Sequence, residues 1–224
     1  MIKNHYKNKK TISGLFFLFF LAFALTVQAE DEDSQKARKT NRIAVISFQA
    51  FMPDEGNTVF CPLCGSGSSG GKVLEGAEKT VEEVFVNRLS KVKGVEIIPS
   101  EKAESVYKRI SSEKLKENFI ENLRKVGNEL GADFLAVGYV YRYTERVGYK
   151  YSSEHPASVI FEIHLVKSAD GNIVWQGYFD KTQKSLMENI LDISSFFKGG
   201  AKWITARQLT EQGMDKIFKT FPDF

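Results

Sequence analysis

Residues 157–180 read Ala-Ser-Val-Ile-Phe-Glu-Ile-His-Leu-Val-Lys-Ser-Ala-Asp-Gly-Asn-Ile-Val-Trp-Gln-Gly-Tyr-Phe-Asp. Through Lys167, the residues Val159, Phe161, Ile163 and Leu165 alternate with polar or small residues for most of the run. That period of two belongs to a strand with one face in a core. Asp170-Gly171 is a tight-turn signal, and Asn172 to Asp180 is the next strand. Strands joined by so short a connection pair antiparallel. By the same alternation, His164 lies on the side opposite Phe161, Ile163 and Leu165, and with no Ser, Cys or paired acid beside it in sequence it reads as a hydrogen-bonded structural histidine ahead of a ligand or base.

Working upstream, Gly131-Ala-Asp133 marks a turn into a strand from Phe134 to about Tyr143, and a hairpin loop around Glu145 to His155 links it to the run above. Two helices precede that turn. One repeats through Leu115, Phe119, Leu123, Val126/Gly127 and Leu130; the other runs from a Ser100 cap to about Ile110. Val95 to Ile98 is a short strand stopped by Pro99, and Gly94 closes an amphipathic helix that starts at Val73 and carries Leu74, Ala77, Val81, Val84/Phe85 and Leu89. Arg42 to Phe51 is an apolar run rich in β-branched and aromatic residues, hence a buried strand. Downstream, Thr205 caps a last helix while Gln208 closes its capping box, and the helix buries Leu209, Met214, Ile217 and Phe218. The order is strand, helix, strand, two helices, three strands, helix. It predicts an α/β fold of two or three layers: a mixed sheet, parallel in its N-terminal part and an antiparallel meander in its C-terminal part, covered by helices.

The first 29 residues have a different character. Lys3, Lys7, Lys9 and Lys10 precede an apolar run from Leu15 to Leu25, and Val27-Gln28-Ala29 supplies small residues at a cleavage point. This reads as a secretory signal peptide, with a core shorter than the roughly 20 residues of a membrane-spanning helix. Cleavage near Ala29 gives a periplasmic or secreted protein, or one peripheral to the outer membrane. Residues 30–41 form a charged leader without apolar period, and 42–224 form a single α/β domain with a Cys/Gly/Ser-rich loop at 52–72. The first 29 residues hold four of the 31 basic residues and none of the 28 acidic ones, so the remainder carries 27 against 28 and a formal charge of −1. That balance removes the electrostatic support for nucleic-acid binding.

The motif with the most definite chemistry is Cys61-Pro-Leu-Cys64-Gly65. Two thiols separated by two residues around a tight turn form half of a zinc-knuckle site, and His155 and His164, from this chain or a second subunit, are the histidines that could complete it. Thiol redox exchange uses the same spacing but sets the first thiol at a helix N-terminus, whereas the next helix here begins well downstream at Val73. A short-range disulfide between Cys61 and Cys64 is the leading expectation for an oxidising compartment, with no cofactor and zinc as the alternative. The tract from Gly65 to Lys72 resembles a phosphate-binding loop only in place: a Walker register would need Gly at 66 and Ser or Thr at 73, where Ser66 and Val73 stand. It reads as a flexible linker. Glu82 and Glu83 read as solvated helix carboxylates without an acid/base role.

Tyr139, Tyr141 and Tyr143 fall at period two on one strand, with Tyr149 and Tyr151 in the following loop and Arg142 and Arg146 close by. This group is either a protein interface or a sheet face packed under the C-terminal helix. The stretch from Ser195 to Trp203, with Phe196 and Phe197, is likewise either a docking loop or core cover.

Four segments, Arg42–Phe48 (RIAVISF), Val95–Ser100 (VEIIPS), Leu130–Val140 (LGADFLAVGYV) and Phe161–Trp175 (FEIHLVKSADGNIVW), together resemble the α/β domain shared by the TolB N-terminal domain, LpoB and CsgG. The chain departs from the lipoproteins of that group in having no Cys near the cleavage point, and from CsgG in lacking long amphipathic insertions. The resemblance implies an envelope location and protein contacts in place of catalysis, with peptidoglycan-synthesis or outer-membrane assembly machinery among the partners, and homo-oligomers as a further form. The sequence thus leads to a non-enzymatic exported envelope accessory or scaffold that binds protein partners, through Tyr141, Tyr143, Tyr149, Tyr151, Phe196, Phe197 and Trp203. The alternatives are an oligomeric component of an outer-membrane secretion or assembly apparatus, and a thiol-redox or zinc-binding protein acting through Cys61 and Cys64.

Overall fold

The computed structural model describes residues 40–53, 58–113, 118–149, 152–183 and 204–224. The signal-like segment, Tyr151, Phe196, Phe197 and Trp203 lie outside them. Strands β1 (Asn41–Val45) and β5 (Val95–Ile98) pair in parallel, and β1 pairs in parallel with β6 (Phe134–Thr144) on its other side. Beyond β6, the strands β9 (Ser158–Lys167) and β10 (Ile173–Thr182) complete an antiparallel meander, giving the order β10-β9-β6-β1-β5. The mixed sheet is therefore parallel on its N-terminal side and antiparallel on its C-terminal side, as its turn chemistry required.

The run from Arg42 to Phe51 is not one strand. It divides into β1 and a two-residue β2 (Gln49–Ala50), which pairs with β6 farther along. Phe48 causes the break: its N–H donates to Glu82 Oε2 at 2.9 Å instead of to a neighbouring strand. The ring of Phe48 lies over Gly138, where an added Cβ would come within 2.5 Å of it, so the sheet admits that ring only because residue 138 has no side chain.

Helix α1 (Ala77–Leu89) buries Ala77, Val81, Val84, Phe85 and Leu89, spaced as one helical face. It starts later than Val73 because the preceding residues are still tied to the sheet, with Leu74 N–H donating to the Tyr143 carbonyl at 3.0 Å. Helix α2 (Ser100–Glu113) follows β5, and Asn118 caps α3 (Phe119–Leu130) by accepting from Ile120 N–H at 3.2 Å. Helix α4 (Ala206–Ile217) has the predicted capping box: Gln208 N–H donates to Thr205 Oγ1 at 3.2 Å, and Thr205 N–H to Gln208 Oε1 at 3.1 Å.

The alternation of the strands sends their side chains into two cores. On one face Ile43, Val45, Phe161, Ile163 and Leu165 pack against α1 and α4; on the other Ala44, Ile46, Leu135, Val137 and Val166 pack against α2 and α3. The result is three layers, helices–sheet–helices. Among the described residues no helix is long and apolar enough to cross a membrane.

Part of the second face is covered by a hairpin instead of a helix. Strands β3 (Thr58–Phe60) and β4 (Gly67–Ser69) pair antiparallel as a separate two-stranded sheet. Residues 65–72, read from sequence as a flexible linker, thus contribute a strand, and Ser68 turns its side chain inward against the body of the protein. A second small hairpin joins β7 (Val147–Tyr149) to β8 (Ser152–His155).

Candidate metal centre

The Cys61–Gly65 turn is built by its backbone. Cys61 N–H donates to the Ser66 carbonyl at 2.8 Å and Gly65 N–H to the Cys61 carbonyl at 2.9 Å. Gly65 sits at φ +71°, a left-handed conformation that a side chain would strain. Cys64 N–H points at Cys61 Sγ, 3.4 Å away. A main-chain donor aimed at a sulfur stabilises its thiolate, here against the larger opposing effect of burial. Both cysteines are free thiols, Cys61 buried and Cys64 exposed, in place of the disulfide that the spacing led one to expect. The physical reason is their orientation, since each sulfur faces a different polar side chain on β9.

Those side chains are Glu162 and His164. They occupy successive same-face positions of β9, with Gln176 and Tyr178 opposite them on β10. Cys61 Sγ lies 3.3 Å from His164 Nε2, and Cys64 donates to Glu162 Oε1 at 3.6 Å. His164 Nε2 and Glu162 Oε1 are 3.4 Å apart. One ligand atom from each of the four residues lies within 4.8 Å of all the others. Zinc bonds of about 2.0–2.3 Å arranged tetrahedrally place neighbouring ligand atoms roughly 3.3–3.8 Å apart. The three separations above already lie in that range, and two sulfurs, one nitrogen and one oxygen make a donor set suited to zinc.

Glu162 and His164 are both 0% exposed. Burial works to raise the Glu162 carboxyl, but His164, Tyr141 and Gln176 outweigh it and hold the group at about 2. Tyr141 hydroxyl donates to Glu162 Oε2 at 2.8 Å, Ser66 hydroxyl donates to Oε1 at 3.5 Å, and the Gln176 amide also donates to Oε1. The carboxylate is thus held ionised and oriented by the hydroxyl and amide groups behind it, an arrangement that fixes a carboxylate for metal ligation. Burial, followed by the nearby Glu162 charge, pushes the Tyr141 hydroxyl strongly up, so it remains a donor. Desolvation likewise pushes the Cys61 thiol up to about 11, opposite to the lowered value a redox nucleophile needs. His164 Nδ1 and the Tyr139 hydroxyl are buried without a protein partner.

The tyrosines owe their positions to a β-bulge. Pairing of β6 with β9 shifts between Val140 and Arg142, leaving Tyr141 as the extra residue. Period-two alternation would put Tyr139, Tyr141 and Tyr143 on one face. The bulge instead keeps Tyr139 and Tyr141 on the side of the Cys61–Cys64–Glu162–His164 cluster and sends Tyr143 into the core under α4. Tyr141 and Tyr143 are buried and so offer no surface to a partner. Tyr149 lies in β7, and His155, in β8 opposite Val147, is not part of the cluster. Of the two histidines considered from sequence, His164 alone joins the cysteines, and Glu162 supplies the fourth donor that sequence reasoning missed. Its signal was available: a Glu two residues before a His on an otherwise apolar strand places both on one face. Glu83 is exposed and pairs with Arg207 at 2.9 Å, while Glu82 accepts from Phe48 N–H and the Ser100 hydroxyl.

No family model and no curated protein matches the chain. Similar solved structures include the PelC dodecamer from Paraburkholderia phytofirmans, 12% identical with a TM-score of 0.45, covering 80% of this chain and 86% of that one. Lipoprotein GNA1162 from Neisseria meningitidis is 15% identical with a TM-score of 0.40, covering 72% and 98%. The LpoB C-terminal domain from Salmonella enterica, a member of the group the sequence motifs resemble, is 11% identical with a TM-score of 0.36, covering 71% and 92%.

Proposed function

We propose that this chain is an exported, non-enzymatic envelope protein that binds protein partners and carries one structural zinc ion on Cys61, Cys64, Glu162 and His164. The observation that carries the metal assignment is the convergence of four donors from two distant segments within 4.8 Å. Four protein ligands close a tetrahedral site, which suits a structural ion and leaves no position for a substrate. The basic, apolar and small-residue segments before Glu30 support export. One experiment reads both parts: native and denaturing masses of the protein recovered from the exported fraction without added thiol. The expected species begins at Glu30 and holds one zinc, which Cys61→Ser and His164→Ala abolish. A metal-free chain two hydrogens lighter would refute the zinc assignment, and an uncleaved mass would refute export as a mature protein.

The second reading is an oligomeric component of an envelope assembly. It is supported by β10, which pairs on one side only among the described residues and exposes Ile173, Val174 and Tyr178. A defined ring in the native mass spectrum favours it; a monomer dismisses it.

A further inference from the structure

Resting on the zinc assignment, we infer that the metal acts as a latch: zinc holds the β3–β4 hairpin shut over the Tyr139–Tyr141 floor, and its loss lets the hairpin open as a unit while the six-stranded sheet stays folded. Among the described residues the hairpin has little else to hold it. Its two strands have three residues each and pair with one another, not with the main sheet, and a two-stranded hairpin alone is marginal in water. Its apolar anchoring comes chiefly from Val59 at 7% and Cys61 at 3% exposure, whereas Phe60 between them is 67% exposed. The side-chain hydrogen bonds of Cys61, Cys64 and Ser66 to the sheet reach His164 and Glu162.

Zinc would therefore cross-link two hairpin ligands to two ligands on a central strand, His164 standing 103 residues from Cys61 and Glu162 98 residues from Cys64. The two sides of that cross-link differ in rigidity. β9 is paired along both edges and buried on both faces, while the hairpin is joined to β6 by the hydrogen bond from Gly71 N–H to the Tyr141 carbonyl at 2.9 Å, just past its end. Segments with few buried contacts open at low cost without global unfolding. A ligand that binds the closed form and not the open one shifts that local equilibrium by mass action. Opening uncovers Tyr139, Tyr141, Glu162 and His164 together, so metal occupancy decides whether an aromatic, acid-bearing surface is displayed.

Hydrogen–deuterium exchange of the exported chain, stripped of metal under reductant and then titrated with zinc alone, tests the latch. One equivalent of zinc is expected to slow exchange across residues 58–71 by at least tenfold and to leave β9 and β10 nearly unchanged. Cys64→Ser, which alters an exposed side chain and spares the fold, is expected to keep the hairpin at the fast rate with or without zinc. If one zinc binds and the hairpin exchanges at the same rate in both states, or if the whole sheet changes in step with it, the latch is wrong and the structural zinc stands. If zinc does not bind, the metal assignment falls and the latch with it.

Discussion

The bulge at Tyr141 makes a prediction that separates two residues alike in type and close in sequence. Tyr141 donates to Glu162 at 2.8 Å inside a fully buried pair. A hydrogen bond to an ionised group contributes about 1.5–3 kcal/mol. Tyr141→Phe keeps the ring and leaves no cavity, so it is expected to destabilise the metal-free protein by about 2 kcal/mol. Because the same bond orients a metal ligand, zinc affinity is expected to fall by about 10- to 100-fold with the stoichiometry still one. Tyr143→Phe is the control. Its ring lies on the opposite face of the sheet, under α4 and within reach of Thr210, so the expected cost is that of a neutral hydrogen bond, about 1 kcal/mol, with zinc affinity unchanged. Urea midpoints at constant m give the stabilities, and competition with a chromophoric chelator gives the affinities. Equal effects of the two substitutions on zinc binding, or no effect of Tyr141→Phe, would refute the assignment of Tyr141 as the group that positions Glu162.

Thiol labelling of the reduced, metal-free protein should modify exposed Cys64 at least about tenfold faster than buried Cys61, and zinc should then protect Cys64; equal labelling rates, read by mass, would contradict the packing of the turn. Gly138→Ala drives a methyl group to within 2.5 Å of the Phe48 ring and is expected to cost about 1–3 kcal/mol by overpacking, read as a lower thermal midpoint; an unchanged midpoint would show that Phe48 is free to move. In the metal-free protein Glu162 is held at about 2, below its ordinary 4.5, so its contribution is present above pH 4.5 and is lost as pH falls toward 2. Glu162→Gln should therefore be the less stable protein at pH 7 and approach the wild type at the acid end, as acid titration of unfolding would show.

The mixed sheet covered by helices, the capping box at Thr205 and the turn at Asp170-Gly171 were legible because each follows from local period, turn or cap chemistry. The division of β1 from β2 was not, since it depends on Glu82 and Gly138, 34 and 90 residues from Phe48. The same holds for the tyrosines: alternation along β6 is a local rule, and the bulge that breaks it arises from a mismatch with β9 that no window of β6 contains. The cysteine turn could be read as half a site. Its other half was divided between His164, which was considered together with His155, and Glu162, which was passed over, because strand neighbours are brought to a distant loop only by the tertiary fold.

Stability alone does not account for the composition of β9. On the second face of this strand Ile160 and Val166 flank Glu162 and His164, so two ionisable groups interrupt what would otherwise be a continuous apolar surface beneath the hairpin. Replacing a buried ion pair with apolar residues of similar volume is often neutral or stabilising, and an apolar pair here would hold Val59 and the neighbouring turn at least as well. A Glu–His pair by itself also gives no reason for two thiols to face it from a loop shaped by Gly65. A single cation would satisfy all four groups at once: it would draw the protons from the thiols, take the Nε2 lone pair of His164 and meet the carboxylate that Tyr141 and Gln176 already hold ionised. Local rules of burial are broken on both sides of this contact, and a site that breaks them on both sides in complementary chemistry is a binding site before it is a packing solution.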